Sequence, residues 1–591
     1  MAAAVQNPIL NSPMAVMENV VSAANGTSTR DVGGVLAAAV AGFQEAPIRY
    51  TVSTLLVTIL VYLYRKSIPE LDAKEPPVML PRIPFIGHLV GMIRNQAEYY
   101  TSLQDPSKKT GAAIATLPIL GGKTYAIWDP ALVQSALRQK TLSFEPFAVD
   151  FLQTMLGMKE DSYRAFREKP ELVIEFFDAL HFTVRGEPLH RMNANALNYI
   201  SSRLDAMKGT RKIPVDNFYL WLRELMTMAT TTALMGDKNP LLHDGKLVDD
   251  LWCWENAIPK MLITPWHSVT NADAFRSREK LQKALGDYYA DRGDHHESAA
   301  AVTSARAAVL RKYGLPDSEI GRFEASLLQL ATGNTVPTTF WMVANVFTRF
   351  DVVERLRAEL EPLAQRKEGS NIVTINITKF DETCPLLVSC YRESIRLSNH
   401  ALCVRRVMEE TVISNGKGDS FLLKKGSDVQ IPAGFTHRTE EVWGANAAEY
   451  EADRFVGRQA KLSAQAEKNK RNSYIPFGGG KHLCPGRNFA FAEILGTAAA
   501  LILAFDMSSD GNGAPVKLPE MATTTIMGGA SKPDKQGEGM NLVNQAAARL
   551  GKRQVRIRGC RQRPTIEMQS SAKEVGGMMK MKAVKMFWPR T

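Results

Sequence analysis

No C-x-x-C pair, no short-spaced Cys/His set and no dense cysteine framework occurs in this chain, whose six cysteines are scattered over 591 residues. That excludes the usual zinc sites and disulfide-stapled scaffolds, and leaves reduced thiols in a cytosol-facing protein as the default. A G-x-G-x-x-G loop in a strand–helix setting is also missing, so the chain carries no dinucleotide-binding unit of its own. Net basic charge is small over the body. The formal net charge is +11, but residues 551–591 hold 11 Lys or Arg against Glu567 and Glu574, which leaves +2 for everything else. This argues against a nucleic-acid-binding face. No repeat or long low-complexity linker interrupts residues 85–558, and 45% apolar with 23% charged residues is ordinary globular composition.

Residues 50–64, "YTVSTLLVTILVYLY", form an uncharged, largely apolar run followed at once by Arg65 and Lys66. As a helix it rises about 22 Å, and Ala46 to Ile48, with Arg49 snorkelling, bring it closer to bilayer thickness. Residues 46–66 read as a single membrane anchor. The next segment, 67–88, holds Pro76, Pro77, Pro81 and Pro84, which forbid a helix and favour a stiff extended hinge. Arg65, Lys66 and Lys74 follow the anchor, whereas Glu18, Arg30, Asp31 and Glu45 precede it, so the body faces the cytosol. The arm 1–45 is then lumenal, with Asn25-Gly26-Thr27 a possible glycan acceptor. Residues 89–558 read as one large domain, mainly α with minor β. Strands are expected at "KTYAIW" (123–128), "SDVQIP" (427–432) and "VRIR" (555–558), and long helices at 319–350 and 382–398. Residues 559–591 form a basic tail with no structural period, read as disordered.

Cys484 lies in "YIPFGGGKHLCPGRNFAFAE", after three glycines and before a helix start. Exposed backbone N–H groups and the helix dipole stabilise a thiolate in such a place. No base stands beside it for a nucleophile, and no further ligands for zinc. Axial ligation of a haem iron needs one sulfur, donors to it, and glycines that let a flat macrocycle approach. Phe477, Gly480, Cys484 and Gly486 stand at the spacing F-x-x-G-x-x-x-C-x-G, which resembles the haem-binding signature of cytochrome P450 enzymes. Glu393 and Arg396 in "CYRESIRL" are similar to that family's E-x-x-R pair, and Arg454 in "YEADRF" to its later arginine; together they would form a structural charge cluster.

The resemblance implies the P450 fold behind an N-terminal transmembrane anchor, a haem b ligated by Cys484, and NADPH as electron source through a separate reductase. It also implies residence in the endoplasmic reticulum membrane. His482 is the expected cationic partner of a haem propionate, with Arg405 or Arg406 in "CVRRV" a second choice, of which Arg406 is taken here. His190 and Arg191 stand where many members carry W-x-x-x-R.

The match departs at the central helix, where the family carries an acid–threonine pair that organises water and proton delivery. "LLQLATGNTVPTTFW" holds no carboxylate, so the pair becomes Asn334-Thr335 or Gly333-Asn334, and Pro337 adds a kink. "GNTVPTTFW" is similar to the sterol 7α-/12α-hydroxylase and prostacyclin synthase branch. An amide holds water but supplies no proton as an acid does. Asn334 and Thr335 are the catalytic candidates. The expectation is a haem-thiolate monooxygenase acting on a bulky apolar substrate of sterol or terpenoid type. The alternative is an isomerase or dehydratase that needs no external electrons.

Overall fold

The computed structural model describes residues 47–67, 71–81, 86–104, 111–120, 122–207, 213–215, 217–366, 372–457, 463–509, 516–522, 529–537, 542–546 and 554–558. The arm 1–45 with Asn25, and the tail 559–591, lie outside these. The helices that position the site are α1 (Pro47–Ser67), α2 (Leu89–Ser102), α3 (Pro130–Arg138), α4 (Phe218–Met235), α5 (Lys246–Met261), α6 (Ala272–Ala290), α7 (Asp317–Gly333), α8 (Thr335–Phe347), α9 (Pro385–Ser398) and α10 (Arg487–Ala504). A five-stranded sheet is built from β1 (Ile114–Ile119), β2 (Gly122–Ile127), β3 (Leu142–Ser143), β4 (Leu402–Val407) and β5 (Asp428–Pro432), in the order β1-β2-β5-β4-β3. Only the β2–β5 pairing is parallel. The strand at Gln554–Arg558 pairs in parallel with Ile372–Asn376.

The expected helix over 319–350 is two helices. Pro337 has no N–H for the Gly333 carbonyl, and the break falls at Asn334, which caps α8. Helices α5, α6 and α7 pack in sequence, and α8 lies against α4, α9 and α10. Fourteen of the eighteen positions of α10 are buried, as expected of a core helix apolar all round.

The proline-rich connector is docked as well as extended. Thr116 N–H donates to Pro77 O and Met79 N–H to Thr116 O, so the connector lies alongside the edge strand β1 through one parallel bridge. Glu75 is buried there, accepting from Lys123 Nζ at 2.5 Å and Tyr125 Oη at 2.6 Å. Helix α1 ahead of it has exposed apolar side chains, among them Val52, Leu55, Leu56 and Tyr62.

Candidate active site

Three glycines shape the loop around Cys484. Gly478 and Gly480 adopt φ of +72° and +65°, which side chains rarely tolerate, and a Cβ on Gly480 would stand 1.8 Å from Leu137 O. That side of the loop is pressed onto the end of α3. At Gly486 the opposite holds: within 4 Å a Cβ would meet only Cys484 Sγ, at 4.0 Å. The sulfur therefore has open space beside it. The Cys484 N–H donates to Phe477 O at 3.1 Å, which closes the loop, and Phe477 packs against the main core. Burial pushes the thiol up, while backbone N–H groups of Gly486 and Arg487 and the Arg487 charge pull it down. Burial dominates while the sulfur carries a proton; a bound cation reverses that order.

Glu393, Arg396 and Arg454 meet in the interior. Arg396 grips Glu393 with Nε–Oε2 at 2.7 Å and Nη2–Oε1 at 2.8 Å, and Arg454 Nε donates to Oε1 at 2.9 Å. The remaining donors find backbone: Arg396 Nη1 reaches His437 O and Ala447 O at 2.7 and 2.6 Å, and Arg454 Nη1 reaches Trp443 O at 3.0 Å. His437 then accepts the Ile475 N–H at 3.1 Å, which ties the cluster to the start of the cysteine loop.

The expected propionate partners make other contacts. Arg406 pairs with Asp428, Nε–Oδ1 2.8 Å, and lies over the Phe147 ring. His482 is held toward its neutral form. Its Nε2 accepts the Phe144 N–H at 3.2 Å, and burial, followed by the charge of Arg405, pushes it down to about 4. Arg191 is also away from the loop, donating to Glu297 O.

The neighbour, Arg405, has the opposite character. It is buried, donates only to Val404 O at 2.7 Å and Gly479 O at 3.2 Å, and has no carboxylate partner among the described residues. Alternation along β4 could have identified it, because Arg405 shares its face with buried Val407 whereas Arg406 points the other way.

At the helix break, Asn334 Oδ1 accepts the N–H groups of Gly529 and Ala530 at 2.5 and 3.0 Å. Its oxygen joins the break to a distant segment. Thr335 is buried and donates to Ala331 O at 2.8 Å, leaving its oxygen able to accept. The segment after 528 also holds the end of α9: His400 N–H donates to Gly529 O and Ser531 N–H to Ser398 O, both at 2.7 Å, while Asn399 Nδ2 reaches Pro476 O at 3.0 Å. The C-terminal end of α9 thus links the cysteine loop to the break.

The comparisons agree with this architecture. The cytochrome P450 family profile matches residues 76–531. A cytochrome P450 monooxygenase of Gibberella zeae is 39% identical over 491 residues, covering 83% of this chain and 92% of that protein. The 25-hydroxycholesterol 7-alpha-hydroxylase of Rattus norvegicus is 30% identical over 393 residues, covering 65% of this chain and 90% of that protein. The solved structure of retinoic-acid-bound cyanobacterial CYP120A1 superposes with a TM-score of 0.59 over 80% of this chain and 100% of that one; at 16% identity this speaks for the fold alone. The chain belongs to the cytochrome P450 family and is a monooxygenase by class.

The family implies a haem with a cysteine thiolate ligand, and the residues present fit one. A buried, uncompensated guanidinium is unfavourable unless an anion meets it, and Arg405 stands beside the glycine loop in that condition. A propionate is such an anion.

Proposed function

We propose that Cys484 supplies the axial thiolate of haem b, and that the enzyme oxidises a bulky apolar substrate of sterol or terpenoid type with dioxygen. Electrons come from NADPH through a separate reductase. The observation that carries this reading is the cysteine loop itself: a sulfur faced by two backbone donors, open space at Gly486, and a buried cation without a carboxylate at its rim. When bound, thiolate-ligated haem supplies the oxidising chemistry. The chain's own residues hold it. Gly479 and Gly480 let the loop lie close against α3, Arg405 would meet a propionate, and the Glu393 cluster fixes α9 against the loop. Phe477, Gly480, His482 and Gly486 would be the loop residues that hold the group, and Thr335 offers an acceptor at the break.

The sterol or terpenoid class is supported by the name of the Rattus norvegicus relative and by helix α1. At 21 residues, α1 would rise about 31 Å, enough to cross a bilayer, and its apolar side chains are exposed. A single-pass anchor in the endoplasmic reticulum membrane, with the body in the cytosol, places the site where membrane-soluble substrates partition. The test is the holoenzyme in phospholipid vesicles with NADPH–P450 reductase and a panel of sterols and diterpenoids. Oxygenated product formed only with NADPH and dioxygen is the expected result. Conversion of an already oxygenated substrate without NADPH would replace this reading by the isomerase or dehydratase.

A further inference from the structure

The central helix lacks the carboxylate its family carries, yet a carboxylate stands at that place. A Cβ built on Gly333 would lie 3.2 Å from Glu255 Oε1 and 3.4 Å from the Gln329 side-chain nitrogen. Glu255 comes from α5, and its side chain is 8% exposed. The volume that an acidic side chain on residue 333 would enter is held instead by an acid from another helix. Gly333 has no side chain to contest it.

The surroundings suit a carboxylate in service rather than one tied up in packing. Its Oε2 is bonded by Lys532 Nζ, which also donates to Asn256 Oδ1 at 2.6 Å and lies over the Trp252 ring. Its Oε1, the atom facing Gly333, accepts no hydrogen bond among the described residues. Beside it, Gln329 Oε1 is buried without a partner. At Gly333 the Glu255 Oε1 acceptor and the Gln329 Nε2 donor border one space, the pairing that a single water can bridge. Lys532 is 18% exposed, so the pair reaches from solvent to the break.

We propose that Glu255 replaces the missing acid of the central helix: a positioning residue that, with Lys532 and Gln329, holds water beside Gly333 and relays protons to the helix break. This rests on the monooxygenase reading. One turnover takes a dioxygen, two electrons from the reductase and two protons from solvent; one oxygen atom enters the substrate and the other leaves as water. A proton passed inward from the held water is replaced from solvent through Lys532 and Glu255, so neither residue changes charge over the cycle. Asn334 is left its structural bond to residues 529 and 530.

The experiment uses the full-length holoenzyme with reductase, and reads NADPH-driven dioxygen consumption in H2O and D2O, which needs no identified substrate. Positioned acid–base groups contribute roughly 10²–10⁴-fold, so Glu255→Gln is expected to slow consumption by about a hundredfold and to raise the solvent isotope effect. Glu255→Asp should recover most of the rate. A relocated acid, Glu255→Ala with Gly333→Asp, should exceed Glu255→Ala alone. Independently of turnover, the carbon monoxide stretching frequency of the reduced haem should shift in Glu255→Gln and return in Glu255→Asp. A Glu255→Gln enzyme with wild-type rate, isotope effect and carbon monoxide frequency overturns the proposal. If Glu255→Gln does not fold, the Asp variant and the relocated acid decide it: a relocated acid no better than Glu255→Ala overturns it too. Dioxygen consumption that is absent in the wild type while substrate is still converted would defeat the monooxygenase reading itself, before any variant is made.

Discussion

The cysteine loop and the helix break are joined through the end of α9 but are assembled in contrary ways. The loop is one contiguous stretch: Phe477, the glycines, Cys484 and Gly486 act through their own backbone, closed by the Cys484–Phe477 bond. The break is a meeting of strangers. Gly333 and Asn334 lie on the α7–α8 junction, Glu255 on α5, and the donors to Asn334 at residues 529 and 530, some 195 positions downstream. A ligand loop depends on local φ values and close approach, which a short motif encodes; a proton path depends on which distant side chains fill one volume, which it does not.

The loop should therefore fail completely at a single atom. Cys484→Ala removes the sulfur placed beside the open space at Gly486, and the expected outcome is no thiolate-type carbon monoxide band and no NADPH-dependent turnover. A retained band and retained rate would show the ligand to be elsewhere.

Next in size is the link between the two regions. Glu393→Gln would leave Arg396 and Arg454 buried with their shared carboxylate gone. Breaking a buried pair at one partner costs about 3–5 kcal/mol, a large share of the stability of a folded chain. Chemical denaturation should register that loss, with Cys484 still in place and haem content falling only as the α9 anchor loosens. A loss below about 1 kcal/mol would mean that the cluster is a solvated pair after all.

Arg405 sharpens the comparison because its effect should change sign with occupancy. Arg405→Met removes a buried cation that has no carboxylate partner, so the haem-free protein should be no less stable than wild type. In the holoenzyme the same change removes a charge-assisted bond of about 1.5–3 kcal/mol, and haem transfer to apomyoglobin should accelerate by roughly tenfold or more. A haem-loss rate equal to wild type would place the propionate elsewhere.

Legibility followed the same division. The E-x-x-R pair and its later arginine were readable as a cluster because their spacing and order are fixed along the chain. Strand alternation puts Arg405 rather than Arg406 on the buried face of β4, and burial favours the neutral ring of His482, neither of which a spacing motif encodes. Pro337 announced a kink, but the exact break needed the missing donor to be matched with the Gly333 carbonyl. Glu255 left a trace that went unread: with Leu251, Trp252 and Ile258 it lies on the buried face of α5, where an acid is unexpected. What could not be read was its partner, since Lys532 is 277 residues away.

Asn334 tests whether the break is held by that distant segment. Asn334→Ala leaves the N–H groups of Gly529 and Ala530 without their acceptor, which should destabilise by about 1–3 kcal/mol. Asn334→Asp keeps the oxygen and should restore most of it. Equal stability for Ala and Asp would remove the stitch.

The smallest effect is a slope, on the helix that leaves the cysteine loop. Glu493 on α10 is buried, accepts one hydrogen bond, from Thr230 Oγ1 at 2.6 Å, and leaves Oε2 without a partner; burial pushes it up to about 8. The folded state therefore keeps a proton that the unfolded chain releases near the ordinary carboxylate range. Its contribution is fully present below that range and declines as pH rises, levelling off above about 8. The buried histidines His400 and His437 work the other way: both are pushed down to about 3 by burial, so their contribution is complete above the ordinary histidine range and lost on acidification. Between roughly pH 6.5 and 8 the histidines, shared by both proteins, cancel in the difference between wild type and Glu493→Gln, which isolates Glu493. There, wild-type stability should fall by on the order of 1 kcal/mol per pH unit relative to Glu493→Gln, whose isosteric amide has no proton to lose. Denaturation midpoints of the two proteins at pH 6.5, 7.25 and 8 should diverge steadily, with the variant the more stable. Parallel lines would mean that Glu493 is ionised throughout, held by a partner that its single bond to Thr230 does not supply.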